Sequence, residues 1–416
     1  MPRRSFLRAG ALTLGGAAVV TGGTRLAFGT PGNPATGDAL VVIFLRGAAD
    51  GLSFAPAIGS GYDSYAAARP TLRINPSQSL PLDGSNTNAV FPQGLDGVIG
   101  LHPAFRPLYE TVWASGNMAV VPGCGMPESE SSSRSHFIAE EQMQRGAAGE
   151  ALNTGFMARF ESAQGAQGPI ANVFTSNTAS EIQSGSNQSL LVGDLGNYGL
   201  QRFRNGNNAP TALQRMYQGS GQVNATGRKT LDAISRLQAL SPSGVQYPNT
   251  TLGGDLKDVA TMLKSGIGLV GATVVDQGWD THSEQGTLNG YFENKTANVA
   301  DSVAAFIADL GPQGFAETNI AIVTEFGRTL VENGSAGTDH GRGSTAFFIG
   351  GGVQGGVFGY DYFDEYADPG GSARNATPVF TDYRQPLEEI VATRNNVGGL
   401  FPTKASTTQL LGVARA

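Results

Sequence analysis

Seven consecutive apolar residues, Ala39-Leu-Val-Val-Ile-Phe-Leu45, set the first limit on what this chain can fold into. The stretch is short, rich in β-branched side chains, and bounded by Asp38 and Gly47. A half-exposed strand alternates apolar and polar residues, whereas a run apolar at every position suits a strand buried on both faces of a mainly parallel sheet. Similar runs recur at Met118–Val121, Gly271–Val275, Asn319–Thr324 and Thr345–Ile349. Between them, apolar residues at helical spacing predict helices over His136–Arg145, Ala209–Gln218, Arg228–Leu240, Leu256–Leu263 and Leu288–Leu310. Strands alternating with helices argue for an α/β fold, a layered, mainly parallel central sheet flanked by helices. The stretch at about 150–250, rich in Asn, Gln, Ser and Gly, is expected to be a loop-rich cap or insertion over that sheet, within one large domain over 30–416.

The N-terminus reads as a targeting segment. Arg3-Arg4-Ser5-Phe6-Leu7 precedes an apolar stretch from Ala9 to Val20 that glycines interrupt and that falls short of the ~20 residues needed to span a bilayer. Ala27-Phe28-Gly29 offers small residues at a cleavage spacing, and no acidic residue occurs before Asp38. Residues 1–29 are therefore expected to be a twin-arginine signal peptide, removed after recognition by the twin-arginine translocation machinery. The mature protein would then be periplasmic or secreted, with no transmembrane anchor.

Composition narrows the partners. The formal charge of −7 is inherited by a still more acidic chain once Arg3, Arg4, Arg8 and Arg25 leave with the leader, so nucleic acid is not an expected partner. The single cysteine, Cys124, excludes an intrachain disulfide and any cysteine-rich zinc site.

The chain has four histidines, and three of them stand next to, or two residues from, a carboxylate or hydroxyl: Ser135-His136, Asp280-Thr-His282 and Asp339-His340. Each lies just after a predicted strand or at a predicted helix start. In open α/β sheets the carboxyl ends of the strands converge on the ligand site. Asp50 follows the first strand, Asp280 and His282 follow Gly271–Val275, and Glu325 ends Asn319–Thr324. The collected set of Asp50, His136, Asp280, His282, Glu325, Asp339 and His340 mixes oxygen with imidazole. It suits one or two divalent ions such as zinc or manganese better than calcium or copper(I). Taken singly, Asp280-Thr-His282 reads equally well as an Asx-turn and Asp339-His340 as a loop tip; their joint placement carries the metal reading. His102, in Gly-Leu-His-Pro-Ala, reads as structural.

Ser135 begins a predicted helix after a Gly- and Ser-rich loop, where backbone N–H groups favour an anion. Its hydroxyl is either a metal-activated nucleophile or a helix N-cap, and one residue can be both. Arg328 and Arg342 could offer forked donors to a tetrahedral oxyanion, or serve as surface ion-pair partners.

Five blocks, Phe44-Leu-Arg-Gly-Ala-Ala-Asp-Gly-Leu52, Ser135-His136-Phe137, Gly278-Trp-Asp-Thr-His282, Thr324-Glu-Phe-Gly-Arg-Thr329 and Gly337-Thr-Asp-His-Gly341, resemble the signature of the domain-of-unknown-function 1501 family. That family consists largely of bacterial proteins with twin-arginine leaders and is regarded as related to the alkaline phosphatase and sulfatase superfamily. The resemblance implies an alkaline phosphatase-like fold with a metal centre. By that likeness Asp50, Ser135, Asp280 with His282, and Glu325 with Asp339 and His340 match the superfamily's shared positions. Two departures bear on the number of metals: the late Asp-His pair appears as Glu325 with Asp339-His340 displaced downstream, and the middle pair is spaced Asp-x-His. Cys124-Gly-Met-Pro-Glu lacks the context of a formylglycine sulfatase.

Two functions follow as expectations. One is a metal-dependent hydrolase of an anionic phosphate or sulfate ester, with Ser135 as nucleophile. The other is a non-catalytic exported metal-binding protein that binds a cell-surface polymer or a protein partner. An open coordination position separates them.

Overall fold

The computed structural model describes residues 38–415, apart from 93, 132, 149–151, 166–169, 177, 187, 197–208, 360–375 and 405–409. The expected signal peptide lies outside the described residues.

The apolar run opens β1 (Ala39–Arg46), and its alternate side chains enter two separate cores. Val41, Ile43 and Leu45 pack into one cluster, while Leu40, Val42 and Phe44 pack into the other. Burial on both faces is what the lack of alternation required. Besides a short pair at Leu80–Pro81 and Gly100–Leu101, the further strands are β2 (Met118–Gly125), β3 (Asn172–Phe174), β4 (Ser189–Leu191), β5 (Gly271–Gln277), β6 (Thr318–Val323), β7 (Arg328–Glu332), β8 (Thr338–His340), β9 (Ser344–Gly350), β10 (Gly356–Val357) and β11 (Thr381–Asp382). Among the described residues, nine of these form one sheet in the order β10-β2-β9-β6-β1-β5-β3-β4, with β11 also beside β2. β1 runs parallel to β5 and β6, and β3 runs parallel to β4 and β5. β9 runs antiparallel to both β2 and β6. β7 and β8 form a separate antiparallel ribbon.

Helices cover both faces of the sheet, as the α/β reading requires. On one side, Tyr65 of α1 (Tyr62–Ala68), Leu256 and Val259 of α5 (Thr251–Lys264) and Val299, Val303 and Phe306 of α6 (Tyr291–Ala316) join the first core. On the other, Phe156 and Phe160 of α3 (Phe156–Ala163) and Leu387 and Ile390 of α7 (Arg384–Asn395) join the second. The sequence predicts a helix ending at Leu310. In the structure Gly311 leaves helical geometry there (φ 68°, ψ 177°) ahead of Pro312, and one more turn follows. α2 (His136–Arg145) has the predicted bounds, and α4 (Gln222–Gln238) starts earlier than its apolar pattern indicates. The stretch expected to cap the sheet does something different in its first half: it supplies β3 and β4, which extend the sheet edge beyond β5.

His102 is structural. Its ring is buried, Nδ1 accepts from the Ala104 amide (3.1 Å) and Nε2 faces the Thr287 carbonyl (2.6 Å). Among the described residues, no helix is long and apolar enough to cross a membrane.

Candidate metal centre

The parallel strands bring their carboxyl ends to one edge of the sheet, and because β9 is reversed, its amino end reaches the same edge. Gly47 follows β1, Asp280 and His282 follow β5, Thr324 and Glu325 follow β6, and His340 ends the ribbon strand just ahead of β9. α2 enters from the loop after β2 with His136 as its first residue. Segments far apart in sequence thereby place three imidazoles around one carboxylate. His340 Nε2 lies 3.1 Å from His136 Nε2 and 2.9 Å from His282 Nε2. Asp280 Oδ1 lies 3.5 Å from His136 Nε2, 3.2 Å from His282 Nε2 and 3.6 Å from His340 Nε2.

These spacings fit a metal ion. Four donors arranged tetrahedrally at bond lengths of about 2.0–2.1 Å stand about 3.3–3.4 Å from one another. The ligand atoms of His136, Asp280 and His340 all fall within 4.8 Å of one another, and His282 abuts two of the three. Imidazole with one carboxylate is a donor set for borderline divalent ions.

Each imidazole is also held by its outer nitrogen. His136 Nδ1 donates to Glu325 Oε1 (2.7 Å), His282 Nδ1 faces Asp339 Oδ1 (3.2 Å), and His340 Nδ1 donates to the Arg134 carbonyl (2.9 Å). An oxygen acceptor on Nδ1 fixes the tautomer that leaves a lone pair on Nε2, aimed at the shared centre. Bare lone pairs cannot face one another at 2.9–3.1 Å without a cation between them, so the centre takes either protons or a metal. The charges agree with this. The Glu325 hydrogen bond holds the His136 pKa above its ordinary value of 6.5. Burial, with the nearby Arg328 charge, pushes that of His340 below it. Burial works against the Asp280 carboxylate, but hydrogen bonding and charge from Arg328 keep its pKa below the usual range.

Several residues read from the sequence as ligands have other work. Asp50 is not at the centre. It is buried, and its two oxygens accept from Arg69 Nη1 (2.6 Å), Arg69 Nη2 (3.0 Å), Ser53 Oγ (2.6 Å) and Gln285 Nε2 (2.7 Å). Three of these donors converge on Oδ2 and one on Oδ1, which commits the buried carboxylate to Arg69 and its neighbours rather than to the centre. Burial raises its pKa, yet Arg69 brings the net value below the usual range. Glu325 and Asp339 orient histidines rather than join the ligand group. The buried Glu325 is further fixed by the Gly47 amide (2.8 Å) and the Thr324 hydroxyl (2.9 Å), and Asp339 Oδ1 also accepts from Asn333 (3.1 Å).

Arg328, read as an oxyanion donor, is fully buried. Its guanidinium donates to the carbonyls of Ala48 (2.7 Å), Gly47 (2.6 Å) and Thr338 (2.9 Å) and to Asp280 Oδ1 (2.5 Å). Buried and bonded to the turns that surround the centre, it positions Asp280 and is out of reach of a substrate. Ser135 does occupy the N-cap position of α2, but its side chain makes no cap hydrogen bond. Arg342 borders a small, open recess together with Ser131, Ser133, Glu325, Phe326 and Ala139.

The residues missed from the sequence are Arg69, Asn333, Gln285 and the carbonyl of Arg134. None carries a local motif; Arg69 stands in an unremarkable Ala-Arg-Pro context.

The family model for proteins of unknown function DUF1501 matches residues 120–368, which is more than half of the chain. This protein belongs to the DUF1501 family. The match covers β2, α2, β5, β6 and the β7–β8 ribbon, and so takes in all four residues of this candidate site. No curated protein matches the chain in sequence. Among solved structures, Ps i-CgsB in complex with k-i-k-neocarrahexaose is similar at 9% identity over 89% of this chain and 73% of its own, with a TM-score of 0.36. A magnesium-bound variant of TAB5 alkaline phosphatase is similar at 9% identity over 78% of this chain and 95% of its own, with a TM-score of 0.32. BT1596, a 2-O GAG sulfatase, gives 11% identity over 77% and 65%, with a TM-score of 0.27. Likenesses this remote carry no argument about activity.

Proposed function

We propose that this DUF1501 protein is an exported, metal-dependent hydrolase of a phosphate or sulfate ester. One divalent ion, zinc or manganese, would be held by His136, Asp280 and His340 with His282, and Ser135 would be the nucleophile. The observation that carries the reading is the joint orientation of the three imidazoles: each is tied at Nδ1 to an oxygen, and each turns Nε2 toward Asp280. Such outer hydrogen bonding is what metal-ligating histidines need.

Exposure favours a catalytic over a purely structural ion. The side chains of Asp280 and His282 are 48% and 44% exposed, so the centre opens to solvent on that side. A structural site is closed by its ligands, whereas a catalytic one keeps a position for substrate. A bound ion would polarise an ester oxygen and lower the pKa of a hydroxyl that reaches it. The protein's own residues supply the rest. Arg328 holds Asp280, Glu325 holds His136, and the Ser135 hydroxyl, not engaged as a cap, adjoins a ligand at the start of a helix whose free amides favour negative charge. The non-catalytic alternative, a metal-stabilised protein that binds a cell-surface polymer or protein partner, predicts a coordination sphere filled by protein. Export by the twin-arginine machinery is part of the same proposal and rests on residues 3–29.

The test is metal analysis joined to turnover. The protein purified without chelator should hold about one equivalent of a transition metal. Asp280→Ala and His340→Ala should lose it. Ser135→Ala should keep the metal and lose hydrolysis of p-nitrophenyl phosphate, bis-p-nitrophenyl phosphate or p-nitrophenyl sulfate. A folded chain that takes up no metal would discard the proposal, and full activity in Ser135→Ala would discard the nucleophile.

A further inference from the structure

The arginines near the centre differ in how many donors they have left. Arg328 spends its guanidinium on three carbonyls and Asp280, and Arg69 spends its own on Asp50, Ser53 and two carbonyls. Arg384 is likewise consumed by Asp382, Glu130 and the Gly146 carbonyl. Arg342 differs from these three. Its side chain is only 18% exposed, yet its one polar partner among the described residues is Glu128, at 2.9 Å from Nη2. A guanidinium has five N–H donors, and those that Glu128 leaves open here reach solvent rather than protein acceptors, so an anion can take them. Glu128 itself is 65% exposed.

Arg342 is two residues after His340 and borders the recess that also holds Glu325, the carboxylate on His136, along with Ser131 and Ser133. Arg342 therefore lines the recess that reaches the carboxylate tethering His136. A guanidinium fork matches the oxygens of a phosphate or sulfate, and a carboxylate matches the same fork. The loop that bears Glu128 is pinned independently of that carboxylate. Glu130 accepts from the buried Arg384, the Glu130 and Ser131 amides both donate to the Pro127 carbonyl (2.9 Å each), and Ser131 Oγ bonds Gln142 of α2. Rotation of the Glu128 side chain alone, without loop movement, would uncover Arg342.

We infer that Arg342 is the seat of a tetrahedral oxyanion and that the Glu128 carboxylate is its internal placeholder, which a phosphate or sulfate group must displace. The inference rests on the reading of the centre as a hydrolase of anionic esters, and it names the residue that would hold the ester's charged group. Arg342 would donate to the non-bridging oxygens while Glu128 swings into solvent, with no bond made or broken. Removing the placeholder should then favour the anion, an effect that no simple surface ion pair predicts.

The experiment is calorimetric titration of inorganic phosphate, and separately sulfate, into the protein carrying the metal with which it purifies, with metal content measured for each variant. Glu128→Gln should bind the anion about three- to tenfold more tightly than the unmodified chain, and Arg342→Gln about tenfold or more weakly. Arg342→Lys keeps the charge without the fork and should fall between the two, which guards against a variant that merely fails to fold. Unchanged or weaker binding in Glu128→Gln would overturn the placeholder, and unchanged binding in Arg342→Gln would overturn the seat. Both readouts are binding, so they remain separate from the turnover that tests the hydrolase reading.

Discussion

At the scale of single residues, the centre depends on how each histidine is tethered. Glu325 is the strongest tether: a buried carboxylate that accepts from His136, Gly47 and Thr324 together. Glutamine in its place keeps the size but loses the charge. Glu325→Gln is expected to weaken zinc binding at pH 8 by about 10–100-fold, the usual cost of removing such a partner, as read by competition with a chromogenic chelator. An unaltered affinity would show that Glu325 does not tune the site. The pH dependence follows from the same contact. A metal must displace the proton that Glu325 stabilises on His136, whose pKa stands above 6.5, so affinity should begin to fall above that pH as the solution is acidified. In Glu325→Gln the onset should move to lower pH. The sequence showed these residue types at the strand ends but not their division of labour. A carboxylate beside a histidine looks the same whether it binds the ion or the outer nitrogen. Asp50 looked like a ligand because its partner, Arg69, lies on a different element with no local sign of the contact.

At the scale of elements, the turn after β1 packs closely against the segment that carries Asp280. Gly47 has φ of +121°, and a side chain there would bring Cβ to 2.5 Å from the Asp280 amide nitrogen and 2.8 Å from the Trp279 carbonyl carbon. The close approach lets Arg328 bind the Gly47 and Ala48 carbonyls and Asp280 at once. Gly47→Ala is therefore predicted to push Asp280 out of register and reduce metal content well below that of the parent, although no ligand is changed. Elemental analysis with circular dichroism as a control for folding would check it, and a full metal complement would contradict the packing argument. Strands and helices were largely legible here because burial on two faces and helical periodicity leave plain traces in composition. The β7–β8 ribbon was not, since Thr338–His340 is three polar residues whose pairing is set by turns rather than by an apolar pattern.

At the scale of the whole molecule, the donors of the centre come from α2, from the segment after β5 and from the end of β8, and His136 and His340 are 204 positions apart. An ion that binds this arrangement binds the folded chain alone, so it should stabilise the fold by mass action, by about 4 kcal/mol at a free concentration a thousandfold above Kd. Chelation should accordingly lower Tm by about 5–10 °C, and His340→Ala should show the lower Tm with or without chelator. The α/β class could be read from the alternation of runs. The reversal of β9 could not, because an apolar strand reads the same in both directions, yet that reversal lets His340 and Arg342 approach the edge reached by the other strands' carboxyl ends.

The long separation between the ligands has a further result. Neither the nascent chain nor a half-built sheet holds the donors together, so the pocket has no existence until the last of its segments has docked. Selectivity among competing divalent ions is weak when set by affinity alone. On the proposed metal reading, a site this open to solvent would exchange with the ions around it, so its occupant would follow the compartment in which the folded chain resides.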